Sequence, residues 1–345
     1  MNKLFAALVM MSSLVLFTGC QSFQYYDPEK PHRGKKSFLN NYDNSPKANV
    51  WKWYWERLTK PKVEEPPFDP EILKVDLEYL RNNRTQTSYT WIGHASALLQ
   101  IDGVNILIDP VFSDRVSPVS FMGPKRLVKL PVKIDELPPI DIVLVSHSHY
   151  DHLDLASLKE LYKRDSEKTK FLVPLGNKAL LEGEGIENVA EFDWWDKSGI
   201  NGLKLVFTPA QHWSARSLWD HDQTLWGGWF VASKKFKFLY TGDTGYSKDF
   251  QDIHERLGSM DLAMIPVGAY EPRWFMKKQH VNPEEAVRIH QDLKAKTSIG
   301  VHWGTFRLSD EPMIAPLQEI TKARESKNLS AQEFQMLKHG QTLKF

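Results

Sequence analysis

At 345 residues with a formal net charge of +1, the chain is long enough for one large core and lacks the bulk charge that would favour nucleic acid. Its hydrophobic fraction of 41% and charged fraction of 25% are ordinary for a soluble globular protein. One cysteine, Cys20, leaves the rest of the chain without a thiolate ligand or a disulfide, so any metal site must use nitrogen and oxygen.

Residues 1–20 read MNKLFAALVMMSSLVLFTGC. Lys3 gives a positive start, Leu4 to Phe17 an apolar stretch, and Thr18-Gly19 small residues, which is a secretory signal rather than a membrane span. Cys20 directly after it resembles the lipidated cysteine of a bacterial lipobox, with Phe17 where leucine is usual; the other reading is an ordinary signal peptide or an unlipidated cysteine. A lipid on Cys20 implies anchoring in a bacterial cell envelope. Gln21, rather than aspartate, next to it favours the periplasmic face of the outer membrane.

Residues 20–50 are polar and aperiodic and read as a tether with little order. Residues 51–86 form an aromatic and basic N-terminal segment. Its start, VWKWYWERLTKPK, interleaves Trp51, Trp53, Tyr54 and Trp55 with Lys52, Arg57, Lys60 and Lys62. This mixture suits a membrane interface or an aromatic helix packed on the domain, and both readings stand.

From about residue 87 to 345 short apolar runs alternate with turn residues. YTWIGHASALLQIDGVNILIDP predicts strands around an Asp102-Gly103 hairpin. Further strands are predicted at 141–145, 171–173, 203–208, 236–241, 261–265 and 297–301. Helices are predicted at 153–164, 176–182, 249–257, 283–294 and 313–326. Asn282, Pro283 and Glu285 give the helix at 283 a cap, a first residue and a capping box. The fold class is α/β, layered, with at least one mixed sheet.

The chemistry gathers where strands end. VNILID ends at Asp109, IDIVLVSH at His147, LKLVFTPAQH at His212, KFLYTGD at Asp243 and TSIGVH at His302. Strand ends are where α/β folds collect reactive groups. One histidine there is usually structural, but five such ends with H-x-H-x-D-H on one loop point to a metal or catalytic site. Alternate side chains of an extended loop share a face, so His147 and His149 point together while Asp151 and His152 follow into a helix. One loop can serve two adjacent ions. Zinc suits the donor set best, with manganese or iron open.

H-x-H-x-D-H followed by a distant His, Asp and His resembles the metallo-β-lactamase-fold pattern. The resemblance implies an αββα sandwich of two mixed sheets face to face with helices outside. It implies His147, His149 and His212 as ligands of one metal, Asp151, His152 and His302 of the other, and Asp243 as the bridge. Asp109 would orient a ligand histidine, and His94 would be structural or orienting. MGPKR (122–126), SHSHYDHLD, DWW (193–195), TPAQHW (208–213), TGDTGY (241–246), GAYEPRWFMKKQHVNPEEAV (268–287) and HWGTF (302–306) are similar to N-acyl-phosphatidylethanolamine-hydrolysing phospholipases D. That family implies two zinc ions and a phospholipid substrate cleaved by activated water to N-acylethanolamine and phosphatidic acid. Asp151, Asp243 and His280 would be catalytic, with Gln279 and His280 at the phosphate. Trp274, Phe275 and Met276 would meet acyl chains or else pack in the core. Another phospholipid, a lactone or a cyclic phosphodiester is the alternative substrate. Oligomeric state is left open.

Overall fold

A computed structural model describes residues 23–45, 48–59, 66–166 and 168–345. The leader and Cys20 lie outside the described residues. The first sheet takes β1 (Ser88–Gly93), β2 (Ser96–Ile101), β3 (Val104–Ile108), β4 (Ile142–Leu144), β5 (Lys170–Pro174) and β6 (Val189–Phe192). The second takes β7 (Lys197–Ile200), β8 (Leu203–Thr208), β9 (Gly228–Ala232), β10 (Lys237–Tyr240), β11 (Leu262–Pro266), β12 (Thr297–Val301) and β13 (Phe334–Met336). The last strand, β14 (Thr342–Lys344), returns to the first sheet beside β1. Both sheets are mixed, and among the described residues each has seven strands, ordered β14-β1-β2-β3-β4-β5-β6 and β13-β12-β11-β10-β9-β8-β7.

Helices follow the order α1 (Val50–Thr59), α2 (Leu77–Asn82), α3 (Leu155–Asp165), α4 (Lys178–Gly183), α5 (Asp249–Leu257), α6 (Arg273–Met276), α7 (Pro283–Asp292) and α8 (Ala315–Ser326). The predicted hairpin forms: Asp102 and Gly103 both have positive φ, 48° and 80°, as a tight two-residue turn between β2 and β3 requires. The predicted capping box at the start of α7 is present, with the Asn282 side chain accepting from the Glu285 N–H and Glu285 accepting from the Asn282 N–H.

Alternation explains the layers. Ala97, Leu99, Ile106, Ile108, Ile142 and Leu144 share one apolar cluster with strands of the second sheet. Their neighbours Leu98, Leu107 and Val143 join a different cluster, with Leu158 and Leu161 of α3 and Leu181 of α4. A strand buried on both faces needs apolar residues on both, and β2 to β4 supply them, with their buried polar residues Ser96, Gln100 and Asn105 satisfied by hydrogen bonds. The sandwich therefore has the expected αββα form, with all five reactive strand ends following β3, β4, β8, β10 and β12.

The N-terminal segment departs from expectation. Residues 23–45 are not a loose tether but a strap laid on the domain, with Phe23 and Phe38 buried in the main core. The reason lies far along the chain. Asp193, its side chain 1% exposed, takes Lys30 Nζ at 2.6 Å, His32 Nε2 at 2.7 Å and Arg33 Nη2 at 2.7 Å. Burial alone would raise the Asp193 pKa, but His32, Lys30 and Arg33 outweigh it and hold the carboxyl well below the usual range. A group depressed in this way stabilises the fold at neutral pH and loses that contribution as pH falls below about 4. Asp193→Asn is expected to cost about 2 kcal/mol at neutral pH, seen as a lowered Tm. The difference from wild type should shrink below about pH 4; an equal Tm at pH 7 would mean the strap is held by Phe23 and Phe38 alone.

Candidate metal centre

Sharp turns at the strand ends aim the polar side chains inward. His94, Asp109 and His302 all have positive φ, at 53°, 37° and 62°. Non-glycine residues rarely adopt this conformation, and it collects at functional sites. Ahead of Asp243, Gly242 has φ 66°, and a Cβ on it would lie 2.2 Å from the Gly227 carbonyl oxygen. Only glycine lets the chain pass there, which fixes where Asp243 emerges.

Three groups of potential ligand atoms, each within 4.8 Å of one another, account for the residues expected at the metals: His147, His149 and His212; His147, His152 and Asp243; and Asp151, His152 and His302 together with His94. A fourth group joins His212, Asp243 and His280. Asp243 lies between the first set and the last histidine, with its Oδ2 3.1 Å from both His152 Nε2 and His302 Nε2. His147 Nε2 is 2.8 Å and His212 Nε2 3.3 Å from His149 Nδ1. Three imidazole nitrogens converging this closely form a set that suits a shared cation. Burial, foremost, pushes His149 and His212 down to about 3, so both rings are neutral, the form that binds a metal. His152 Nε2 and Asp243 Oδ1 are buried without a hydrogen-bond partner among the described residues. The donor set fits a pair of divalent ions held by nitrogen and oxygen.

Surrounding groups orient these rings. Asp109 Oδ2 lies 2.7 Å from His152 Nδ1 and accepts from Ser146 Oγ at 2.6 Å and the Tyr240 hydroxyl at 2.7 Å. That contact turns His152 Nε2 toward the cluster. The His212 Nδ1–H donates to the Gln279 carbonyl at 2.8 Å, which turns its Nε2 inward in the same way. His94 Nε2 sits 3.0 Å from Asp151 Oδ2. The His94 N–H donates to Thr305 Oγ1 at 2.7 Å, and the His302 N–H to the His94 carbonyl at 3.0 Å.

Gln279 and His280 close one side of the centre. Arg273 holds them there, with Nη1 donating to the His280 carbonyl at 2.8 Å and Nη2 pairing with Glu285 at 2.6 Å. Glu311 supports the same segment by accepting from the N–H groups of Ala269, Tyr270 and Glu271. The His280 side chain is 12% exposed and that of Asp151 15%, whereas His147, His152, His212 and Asp243 are all but closed off, so the centre opens past Asp151 and His280. Of the three apolar residues expected to meet acyl chains, Met276 is buried and Phe275 stacks on Trp53 with centroids 5.1 Å apart; Trp274 keeps an exposed face.

Sequence reasoning missed Asn40, because its partner is 172 positions away. Its Nδ2 donates to the His212 carbonyl at 3.1 Å, and its Oδ1 accepts from the His212 N–H at 3.0 Å and the Trp226 indole at 3.0 Å. The strap thus clamps the backbone of one candidate ligand from both sides. Asn40→Ala is expected to weaken metal affinity roughly tenfold, the scale of losing a group that orients a ligand. Chelator competition would measure it, and unchanged affinity in a folded variant would reduce Asn40 to packing.

Residues 104–303 match the β-lactamase superfamily domain. The N-acyl-phosphatidylethanolamine-hydrolyzing phospholipase D 1 of Caenorhabditis elegans is 39% identical over 86% of this chain and 89% of its own. The mitochondrial enzyme of that name from Saccharomyces cerevisiae is 40% identical over 68% of this chain and 51% of its own. Igni18, a metallo hydrolase from Ignicoccus hospitalis, shares the fold with a TM-score of 0.57 at 21% identity, over 76% of this chain and 99% of its own. With the imidazole and carboxylate cluster, these likenesses identify a metal-dependent hydrolase. The chain belongs to the metallo-β-lactamase superfamily and, within it, to the N-acyl-phosphatidylethanolamine-hydrolysing phospholipase D family.

Proposed function

We propose that the protein hydrolyses the distal P–O bond of N-acyl-phosphatidylethanolamine, giving phosphatidic acid and an N-acylethanolamine. A water oxygen adds to phosphorus, the bond from phosphorus to the ethanolamine oxygen breaks, and that oxygen leaves with a proton. One observation carries the reading: the segment EPRWFMKKQH, which a generic hydrolase of this fold does not need, delivers His280 beside Asp243 and His212 at the open side of the centre.

His147, His149 and His212 would hold one ion and Asp151, His152 and His302 the other, with Asp243 shared. Zinc suits these ligands best. Two such ions would supply charge neutralisation at the phosphate oxygens and a nucleophilic water at neutral pH. The chain's own residues do the rest. Asp109 and the Gln279 carbonyl fix which ring nitrogen of His152 and His212 faces the centre. Burial, foremost, lowers His280 to about 3, so its ring is neutral at physiological pH. Its Nδ1 lies 3.8 Å from Asp243 Oδ2, without a hydrogen-bond partner among the described residues, which suits it to donate to a phosphate oxygen or to the departing ethanolamine oxygen.

The test is release of headgroup from a panel of N-acyl-phosphatidylethanolamine, phosphatidylcholine, phosphatidylethanolamine, a lactone and a cyclic phosphodiester, with metal content measured on the same sample. The first should turn over fastest. If another ester is cleaved and N-acyl-phosphatidylethanolamine is not, the substrate assignment fails while the metal chemistry stands.

For location, the proposal is a lipid on Cys20 and residence on the periplasmic face of the outer membrane. Cys20→Ser should move the protein from the membrane to the soluble fraction. A soluble wild type would refute the anchor.

A further inference from the structure

Helix α1 presents two different faces. Trp53 stacks on Phe275 with an interplanar angle of 3°, Glu56 accepts from the Trp274 indole at 3.2 Å, and Arg57 lies 3.6 Å from Asp310. Lys52 Nζ sits 4.5 Å from the Trp274 ring centre. These contacts fasten the helix to the segment that ends in Gln279 and His280. Trp51, Trp55 and Leu58 fall at i, i+4 and i+7, so they form one stripe along the helix. All three are exposed, at 78%, 69% and 83%. An apolar stripe normally turns inward; here it turns out, beside the mouth of the centre. The loop after His212 repeats the pattern: Trp213 meets His149 edge-to-face with centroids 4.4 Å apart, and farther along the loop Leu218 and Trp219 are each 89% exposed.

We propose that the outer face of α1 docks on a phospholipid surface and brings the metal centre to it; this rests on the phospholipid reading above. Three features select a bilayer over a second copy of the chain. The stripe is mostly tryptophan, whose apolar ring and polar N–H match the headgroup layer. Positive charge for anionic headgroups follows the helix in the sequence at Lys60 and Lys62 and is exposed at Lys277, directly after the α6 segment on which the helix packs. The stripe offers roughly 500 Å² of exposed side chain, short of the ~800 Å² per partner that a stable protein interface uses.

The single cysteine of the chain makes a direct test possible. In a Cys20→Ser chain, Trp55→Cys carries an environment-sensitive fluorophore, and Lys322→Cys on α8 serves as the control. Adding phosphatidylcholine vesicles with a minority of phosphatidylglycerol should shift emission to the blue and raise it several-fold at 55, not at 322. In the unlabelled protein, Trp51→Ser, Trp55→Ser and Leu58→Ser together should lower turnover of vesicle-embedded substrate roughly tenfold or more. Turnover of a short soluble diester should not change. No shift at 55 while wild type still cleaves vesicle lipid overturns the docking face and leaves the proposed function intact. A shift that follows protein concentration without vesicles assigns the stripe to a second copy and also overturns it. A shift at 55 in a protein that cleaves no phospholipid upholds the docking face and removes the substrate reading instead.

Discussion

Asp243→Ala is expected to bind less metal than wild type and to lose hydrolysis by roughly a thousandfold or more, the scale of several kcal/mol of lost charge stabilisation. Wild type should carry close to two ions. Asp243 links the two halves of the centre: its Oδ2 lies 3.1 Å from His152 and from His302 on one side, it groups with His147 and with His212 on the other, and its second oxygen has no hydrogen-bond partner among the described residues. It also sets the charge of its neighbours. Burial would lower the His302 pKa, yet Asp243 foremost, with Asp151, raises it to about 9. Removing the carboxylate strips these buried imidazoles of one of the carboxylates that compensate them. Elemental analysis and circular dichroism on the same sample separate lost metal from lost fold. Full activity after complete chelation would refute metal chemistry altogether.

His280→Ala is expected to lower kcat/KM on a phosphodiester by roughly ten- to a thousandfold with metal content unchanged. The two readouts matter jointly. His280 is grouped with His212 and Asp243, so geometry alone also permits it to share a metal. Its ring is more open than those of His147, His152 and His212, and Nδ1 is 3.8 Å from Asp243, longer than the 3.1 Å contacts His152 and His302 make. It therefore stands at the entrance of the centre. A His280→Ala protein that loses an ion along with activity would transfer His280 from substrate to metal. Loss in kcat alone would place its contact in the transition state, and loss in KM alone in ground-state binding.

The core of the fold was legible because its signals are local. The Asp102-Gly103 turn, the Asn282 cap and the apolar runs ending at His147 and His302 each depend on residues a few positions apart. The residues that the structure gathers into the candidate centre were legible from the H-x-H-x-D-H loop and the strand ends. What escaped depends on distant partners. The strap of residues 23–45 has the polar, aperiodic composition of a tether, and only Asp193, about 160 positions on, orders Lys30, His32 and Arg33. His94 was expected to be structural or orienting, but its partner was not legible; it reaches Asp151 because the turn between β1 and β2 is bonded to Thr305 and His302. No spacing in the sequence marks Arg273, whose grip on the His280 carbonyl appears only when α6 meets the start of α7.

The strap also sets a length scale. Had residues 20–50 been loose, thirty residues could have let the domain roam up to ~100 Å from its attachment point. Phe23, three residues after Cys20, is instead buried in the core, so a lipid on Cys20 would act through a leash of at most ~10 Å. On so short a leash the hydrolase would sample a thin layer of headgroups rather than the surrounding fluid. Its effective substrate concentration would then be governed by how densely the lipid is spread in the membrane plane, and its selectivity by which leaflet it faced.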